Sequence, residues 1–329
     1  MISRPDIIKQ LNYTLKEIDL PWLGVKYRGK VRDCYTRVTA QGRKERILIA
    51  TDRLSAFDVV LSSIPFKGAV LSGIAKYWFD QTRHIVPNHV LSTPHPNVFI
   101  GHELEIVPIE VVVRAYLTGS AWRDYEAGRA VSGIELPRGM KKHQAFAQPI
   151  LTPSTKEAVG KHDLPIASNE IVKRGITTSA IWGEICEKAL KVFAIGQKLS
   201  QERGLILVDT KYEFGILRKP GGAVEVYLAD EIHTPDSSRY WIADSYADRF
   251  AAGEDPEMLD KEFLRRWLIA RGYMGEGVPP ILPDDFRVEI AERYLDLYQR
   301  ITGQSFDASV GDTEQEIAAV LQSLGELSQ

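Results

Sequence analysis

Residues 109–117, IEVVVRAYL, are the most β-branched stretch of the chain and leave it little choice of conformation. Val and Ile are stiff at χ1 and pack well on a pleated surface, so the run reads as a strand in a buried sheet. One cation, Arg114, interrupts it. A guanidinium inside an apolar strand is expensive to bury without a partner. Thr118, Gly119 and Ser120 follow directly and read as a Gly-Ser turn. An arginine with such a turn beside it suits a phosphate monoester, held by the planar fork and a hydroxyl. A structural salt bridge is the alternative, but the neighbours of Arg114 suit an anion and favour the binding reading.

The surrounding pattern points to more sheet. Residues 23–38 are strand-like with a break at Arg28-Gly29-Lys30, residues 47–50 form a buried strand, and residues 104–107 form another. Residues 205–208 and 223–229 bracket Pro220-Gly221-Gly222, a hairpin turn. Apolar residues at helical spacing predict helices over 6–17, 68–84, 178–203, 259–271, 284–302 and 312–325. Residues 128–170, rich in Gly, Pro, Lys and His, read as a long loop. The outline is α+β: a small β-rich lobe, residues 1–117, and a larger mixed lobe with C-terminal helices, residues 118–329. A chain of 329 residues exceeds what one core usually holds, which also favours two lobes.

Composition removes several classes of function. The net charge of −3 gives no electrostatic reason to expect nucleic acid. No apolar run is long enough to span a membrane, and residues 1–20 lack the apolar core of a secretion signal. Cys34 and Cys186 lie far apart, in no metal or redox spacing, and read as reduced thiols. A cytoplasmic enzyme acting on small molecules fits these features. The chain has no GxxxxGK[ST] loop, GxGxxG fingerprint, HExxH helix or GxSxG elbow.

Four further segments carry candidate chemistry. In Tyr27–Asp33, Gly29 lets the backbone approach a ligand, and Lys30 and Arg32 are expected on one strand face beside it. Two cations there suit nucleotide phosphates, although taken alone the segment reads as a charged hairpin edge. Thr51–Asp58, at the end of a buried strand, is either a site or a capped turn. In Val208–Gly215, Asp209, Lys211 and Glu213 alternate and so share a sheet face, and the returning strand ends near Asp230. Paired carboxylates with a lysine nearby can hold Mg²⁺ against a polyphosphate. A solvated face with cross-strand ion pairs is the rival reading, but several acids with one lysine suit it poorly. Pro235–Trp241 then presents Ser238 and Arg239 from a turn, fit for an anion or for plain turn chemistry.

These segments resemble the SAICAR synthetase family over nearly the whole chain. The matching runs are YRGKVRDCY (27–35), TDRLSAFD (51–58), PIEVVVRAYLTGSAW (108–122), ILTPSTK with KHD (150–156 and 161–163), LILVDTKYEFG (205–215) and LADEIHTPDSSRYW (228–241). Six runs in one order are far more specific than any one of them. The 128–170 region and the C-terminal helices resemble the longer form of the family.

The resemblance implies a small lobe over a larger one with ATP between, distantly similar to kinases and ATP-grasp ligases. It implies phosphorylation of the carboxylate of carboxyaminoimidazole ribonucleotide by ATP, then attack by the amine of L-aspartate. Residue by residue, it implies that Gly29, Lys30 and Arg32 contact ATP, and that Glu213 and Asp230 bind Mg²⁺. Lys211 would lie near the transferred phosphoryl group, with Asp209 beside it in the catalytic centre. Arg114, Ser120, Ser238 and Arg239 would cradle the ribonucleotide, Asp58 would serve the imidazole or the amine, and Lys156 and Asp163 would hold aspartate. Shorter members carry Lys where this chain has Arg123, which is given no role. The longer form also implies a monomer. A small-molecule kinase would need an HRD or DFG segment, absent here, and a non-catalytic nucleotide binder would lack the acids at 213 and 230.

Overall fold

A computed structural model describes residues 2–57, 59–156, 163–219, 221–259 and 262–326. The chain divides into two units. One comprises Met1–Tyr77, His89–Glu103 and Lys261–Gln329, and the other Trp78–Asn88 and Leu104–Asp260. Both combine helix with antiparallel sheet, so the class is α+β. The units do not follow the expected division after residue 117. The strand beginning at Glu105 hydrogen-bonds within the second unit, and the C-terminal helices belong to the first.

The first unit opens with α1 (Arg4–Gln10). Ser3 Oγ accepts from the Asp6 amide at 3.4 Å, and the Asp6 carboxylate accepts from the Ser3 amide at 3.0 Å, a reciprocal cap for two end donors. The helix expected over 6–17 ends early, followed by a 3₁₀ turn at Leu11–Tyr13. Asp52 takes the Leu15 amide at 2.8 Å, and the chain leaves helical form before reaching it. Next come β1 (Lys26–Arg28), β2 (Arg32–Val38), β3 (Lys44–Ala50), the pair β4 (Arg53–Ala56) and β5 (Val59–Ser63), α2 (Lys67–Thr82), and the hairpin of β6 (Val90–His95) and β7 (Val98–His102). The sheet runs β1-β2-β3-β7-β6. Tyr35, Ile47, Ile49, Val98 and Ile100 form a buried face with Leu15, Ile18, Leu20 and Leu23 from the N-terminal segment and Ile317 and Leu321 from near the C-terminus. Each such side chain contributes about 1.5–3 kcal/mol when fully buried.

The second unit is built on β8 (Glu105–Tyr116), α3 (Gly119–Glu126), β9 (Ala145–Leu151), β10 (Ser154–Thr155), α4 (Ser168–Lys173), α5 (Ser179–Gln201), β11 (Leu205–Arg218), β12 (Val224–Ala229), β13 (Ser238–Ile242) and α6 (Ala243–Ala251). The first unit is completed by α7 (Glu262–Ile269), α8 (Asp284–Thr302) and α9 (Thr313–Glu326). Strands expected over 104–107 and 109–117 are one strand, β8. Proline has no N–H for a ladder, and Pro108 falls where the register with β11 shifts, between Glu213 and Gly215, so the bulge absorbs it. The expected loop of 128–170 contains β9 and β10, which extend β8's free edge. β11 is the axis of the sheet, with β8 along one edge and β12 and β13 end to end along the other. On its back, α5 buries Ile185, Ala189, Val192 and Phe193.

Candidate active site

In the first unit the glycine turn is held from beneath by one arginine. Arg53 is buried, and its guanidinium donates to the carbonyls of Lys30 (2.9 Å), Lys16 (2.8 Å), Gly29 (2.9 Å) and Arg32 (3.1 Å) and to Asp33 Oδ1 (2.8 Å). Thr51 Oγ1 adds a bond to the Val31 carbonyl at 2.8 Å. Asp52 accepts from the Leu15 and Gly68 amides at 2.8 and 2.9 Å, and burial raises its carboxyl to about 6. Thr51 and Arg53 thus act as scaffold for the turn, and Asp52 ties the N-terminal segment to the start of α2. Lys30 is exposed in the turn, outside β2, and Arg32 is half-buried as the first residue of β2; the two do not share a strand face as expected. Asp58 lies outside the described residues.

In the second unit the alternation of β11 places Asp209, Lys211 and Glu213 on one face. Register with β8 puts Arg114 opposite Asp209, Val112 opposite Lys211, and Glu110 opposite Glu213. From the other edge, β13 sets Arg239 opposite Asp209. Ser238 and Arg239 belong to this strand and not to the expected turn.

One end of the face is cationic. Asp209 Oδ2 accepts from Arg114 Nη1 at 2.8 Å and also from Arg239 Nη1. Arg114 also donates to Thr152 Oγ1 (2.8 Å) and Ser120 Oγ (3.0 Å). Burial lowers the Arg114 pKa, against the pull of Asp209. Two guanidiniums share one carboxylate. Gly119 and Ser120 start α3 instead of forming a free turn. Gly119 has φ +59°, and a Cβ there would lie 2.6 Å from Arg239 Nη2, so a side chain would be strained and would displace the guanidinium.

The other end is rich in carboxylates. Lys211 Nζ donates to Glu110 Oε1 at 2.5 Å, and Lys156 Nζ donates to Glu213 Oε2 at 2.5 Å. Burial works to lower the Lys211 pKa, but Glu110, Glu213 and Glu231 more than offset it, so the ammonium is held charged above its ordinary range. Burial raises Glu110, with Asp163 adding to the effect against Lys211. Glu213 is paired in register with Ala229, and Asp230 is the next residue, in a left-handed conformation at φ +61°. No group of three or more His, Cys, Asp or Glu side chains suited to a metal gathers among the described residues. Magnesium needs only one or two carboxylates and otherwise keeps water or takes phosphate oxygens. The oxygen donors at 213 and 230 fit that habit, and a cation, Lys156, already stands against Glu213.

Sequence reasoning missed Glu110, Thr152 and Glu231. Glu110 was open to discovery, since Glu110, Val112 and Arg114 alternate on one strand face. Nothing local to Thr152 or Glu231 points to Arg114 or Lys211.

The family model for SAICAR synthetase matches residues 25–280. The chain belongs to the SAICAR synthetase family. That family comprises the ATP-dependent ligases that add aspartate in purine biosynthesis. A phosphoribosylaminoimidazole-succinocarboxamide synthase from Legionella pneumophila (strain Paris) is 46% identical over 314 residues, covering 93% of this chain and 96% of that protein. The fold is similar to a SAICAR synthase from Saccharomyces cerevisiae complexed with SAICAR, with TM-score 0.77 and 32% identity over 90% of this chain and 100% of that one. It is also similar to a type-2 SAICAR synthetase in complex with ADP, with TM-score 0.63 and 26% identity over 86% of this chain and 100% of that one.

Proposed function

We propose that this SAICAR synthetase family member performs the ligation with the residues of the β11 face, and that its glycine turn contacts ATP. An oxygen of the ribonucleotide carboxylate attacks the γ-phosphorus of ATP, and the bond to the bridging oxygen of ADP breaks. The acyl phosphate so formed is attacked at its carbonyl carbon by the aspartate amine. The C–O bond to phosphate then breaks, leaving the amide and inorganic phosphate, and the amine proton is lost. A free carboxylate acylates poorly, so the phosphoryl group supplies the leaving group. The protein's part is to position three anions and offset their charge.

The observation that carries this reading is the sharing of Asp209 by Arg114 and Arg239 beside Ser120 and the first turn of α3. Two guanidiniums, a hydroxyl and helix-end amides suit the ribonucleotide phosphate, with Ser238 on the next strand. Lys211, kept charged by its acids, would meet the transferred phosphoryl group. Asp209 would hold the two guanidiniums in place. Gly29, Lys30 and Arg32 would contact the phosphates of ATP, a ligand supported by the ADP complex of the similar type-2 protein. Glu213 and Asp230 would hold Mg²⁺, which when bound neutralises charge on the terminal phosphates. Lys156 and Asp163 are assigned to aspartate, and Asp58 to the incoming amine. The same reading makes the enzyme a cytoplasmic monomer.

A coupled assay of ADP release, with each of the three substrates omitted in turn, tests the reaction. Release should need all three for sustained turnover. Full-rate release without aspartate would identify a kinase and overturn the ligase assignment.

A further inference from the structure

β11 changes partner along one edge. From Glu213 to Arg218 it pairs with β12, and from Leu205 to Thr210 with β13. Lys211 and Tyr212 therefore face the connecting segment, residues 230–237, and the Lys211 amide donates to the Ser237 carbonyl at 3.0 Å. That segment reverses through two non-glycine residues in left-handed conformation, Asp230 at φ +61° and His233 at φ +50°. Non-glycine residues in this region are strained and persist only where their surroundings hold them.

His233 supplies the hold. It is fully buried, and its Nε2 lies 2.5 Å from the Tyr212 hydroxyl. Its carbonyl accepts from Tyr240 Oη at 2.7 Å, and its ring meets Trp78 edge-on at 4.8 Å. Gly196 of α5 lies against the imidazole, where any side chain would collide with it. Tyr212 points to the back of the sheet, opposite in sense to its neighbours Lys211 and Glu213. Burial keeps the Tyr212 phenol protonated and lowers His233 to about 3, so the bond joins two neutral groups throughout the working range. The ligation uses neither side chain. An apolar pair would fill this space without the desolvation of two polar groups, so the bond's distinctive effect is to fix one arrangement.

We infer that Tyr212 and His233 are a positioning pair: by pinning residues 230–237 to the back of β11, they set the spacing of the Asp230 and Glu213 carboxylates and hence the affinity for the divalent ion. This rests on the metal reading of those two acids. The test compares the full-length enzyme with Tyr212→Phe, His233→Leu, the double variant, Glu213→Gln and Asp230→Asn. Mn²⁺ binding to each protein with ADP is followed by electron paramagnetic resonance, beside thermal unfolding and KM for each substrate. Either single pin variant should weaken Mn²⁺ binding by about 10-fold, the range for groups that orient metal ligands, with KM for the ribonucleotide unchanged. The double variant should be no worse than the poorer single one, since the two act as a unit. Mn²⁺ affinity unchanged in Tyr212→Phe, which removes one oxygen and keeps the ring, would overturn the inference, even with a lower Tm. If Glu213→Gln and Asp230→Asn also leave affinity unchanged, the metal reading itself fails and takes the inference with it. If those two weaken binding and the pin variants do not, only the inference fails.

Discussion

Replacing Arg114 with alanine separates a ligand-binding arginine from a structural one. Its guanidinium makes one bond each to Asp209, Thr152 and Ser120, at 2.8, 2.8 and 3.0 Å. A guanidinium has five N–H donors, so two remain for an anion. Breaking a buried ion pair outright costs roughly 3–5 kcal/mol, but here Asp209 keeps Arg239 and is not orphaned. The expected loss of stability is therefore smaller, about 2 kcal/mol, or about 4–8 °C in Tm for a unit of this size. The loss in binding is worked separately. A hydrogen bond to a charged group contributes about 1.5–3 kcal/mol, which is roughly 10- to 150-fold in affinity. Initial rates with each substrate varied in turn should show that increase in KM for the ribonucleotide, and about 2-fold or less for ATP and aspartate. Arg114→Lys should recover little, because an ammonium cannot reproduce the planar fork. An equal rise in all three KM values would refute the reasoning and leave Arg114 a strut of the sheet.

Asp230→Asn should lower magnesium-dependent turnover by about 100-fold, measured as kcat at saturating ATP. The fold should survive, because asparagine tolerates the left-handed φ of +61°. Gly119→Ala should raise KM for the ribonucleotide and lower stability by about 1–2 kcal/mol, since it meets both a left-handed φ of +59° and the Arg239 guanidinium; an unchanged KM would show that Arg239 does not need its present position. For pH, His233 falls from 6.5 to about 3 on folding, so the folded state refuses a proton that the unfolded chain accepts. Its contribution is complete above about 6.5 and is lost as pH falls from there toward 3, at about 1.4 kcal/mol per unit. The buried Asp52, raised to about 6, works in the opposite sense. Chemical denaturation of wild type and His233→Leu across that window isolates the histidine: the stability difference between them should shift toward the variant as pH falls. A constant difference would show that His233 is not held neutral.

Period and punctuation in the sequence determined most of the elements. The alternation of Asp209, Lys211 and Glu213, and the helical spacing over 179–201 and 284–302, are local properties, since side-chain direction follows from backbone geometry alone. The runs that resemble the family were legible for the same reason, being short stretches of chain. Tertiary structure decided the partners. Arg114 and Asp209 are 95 residues apart, and nothing near either announces that Arg239 will share the same carboxylate oxygen. Lys156 and Asp163 fall in a stretch without periodicity, yet β10 carries Lys156 to Glu213 because β8 has a free edge to fill. Thr51–Asp58 read equally as site or capped turn, and only the carbonyls converging on Arg53 show that its first residues are scaffold. Buried polar groups must find partners wherever the chain brings them. Their identity is a property of register and packing, which no local pattern encodes.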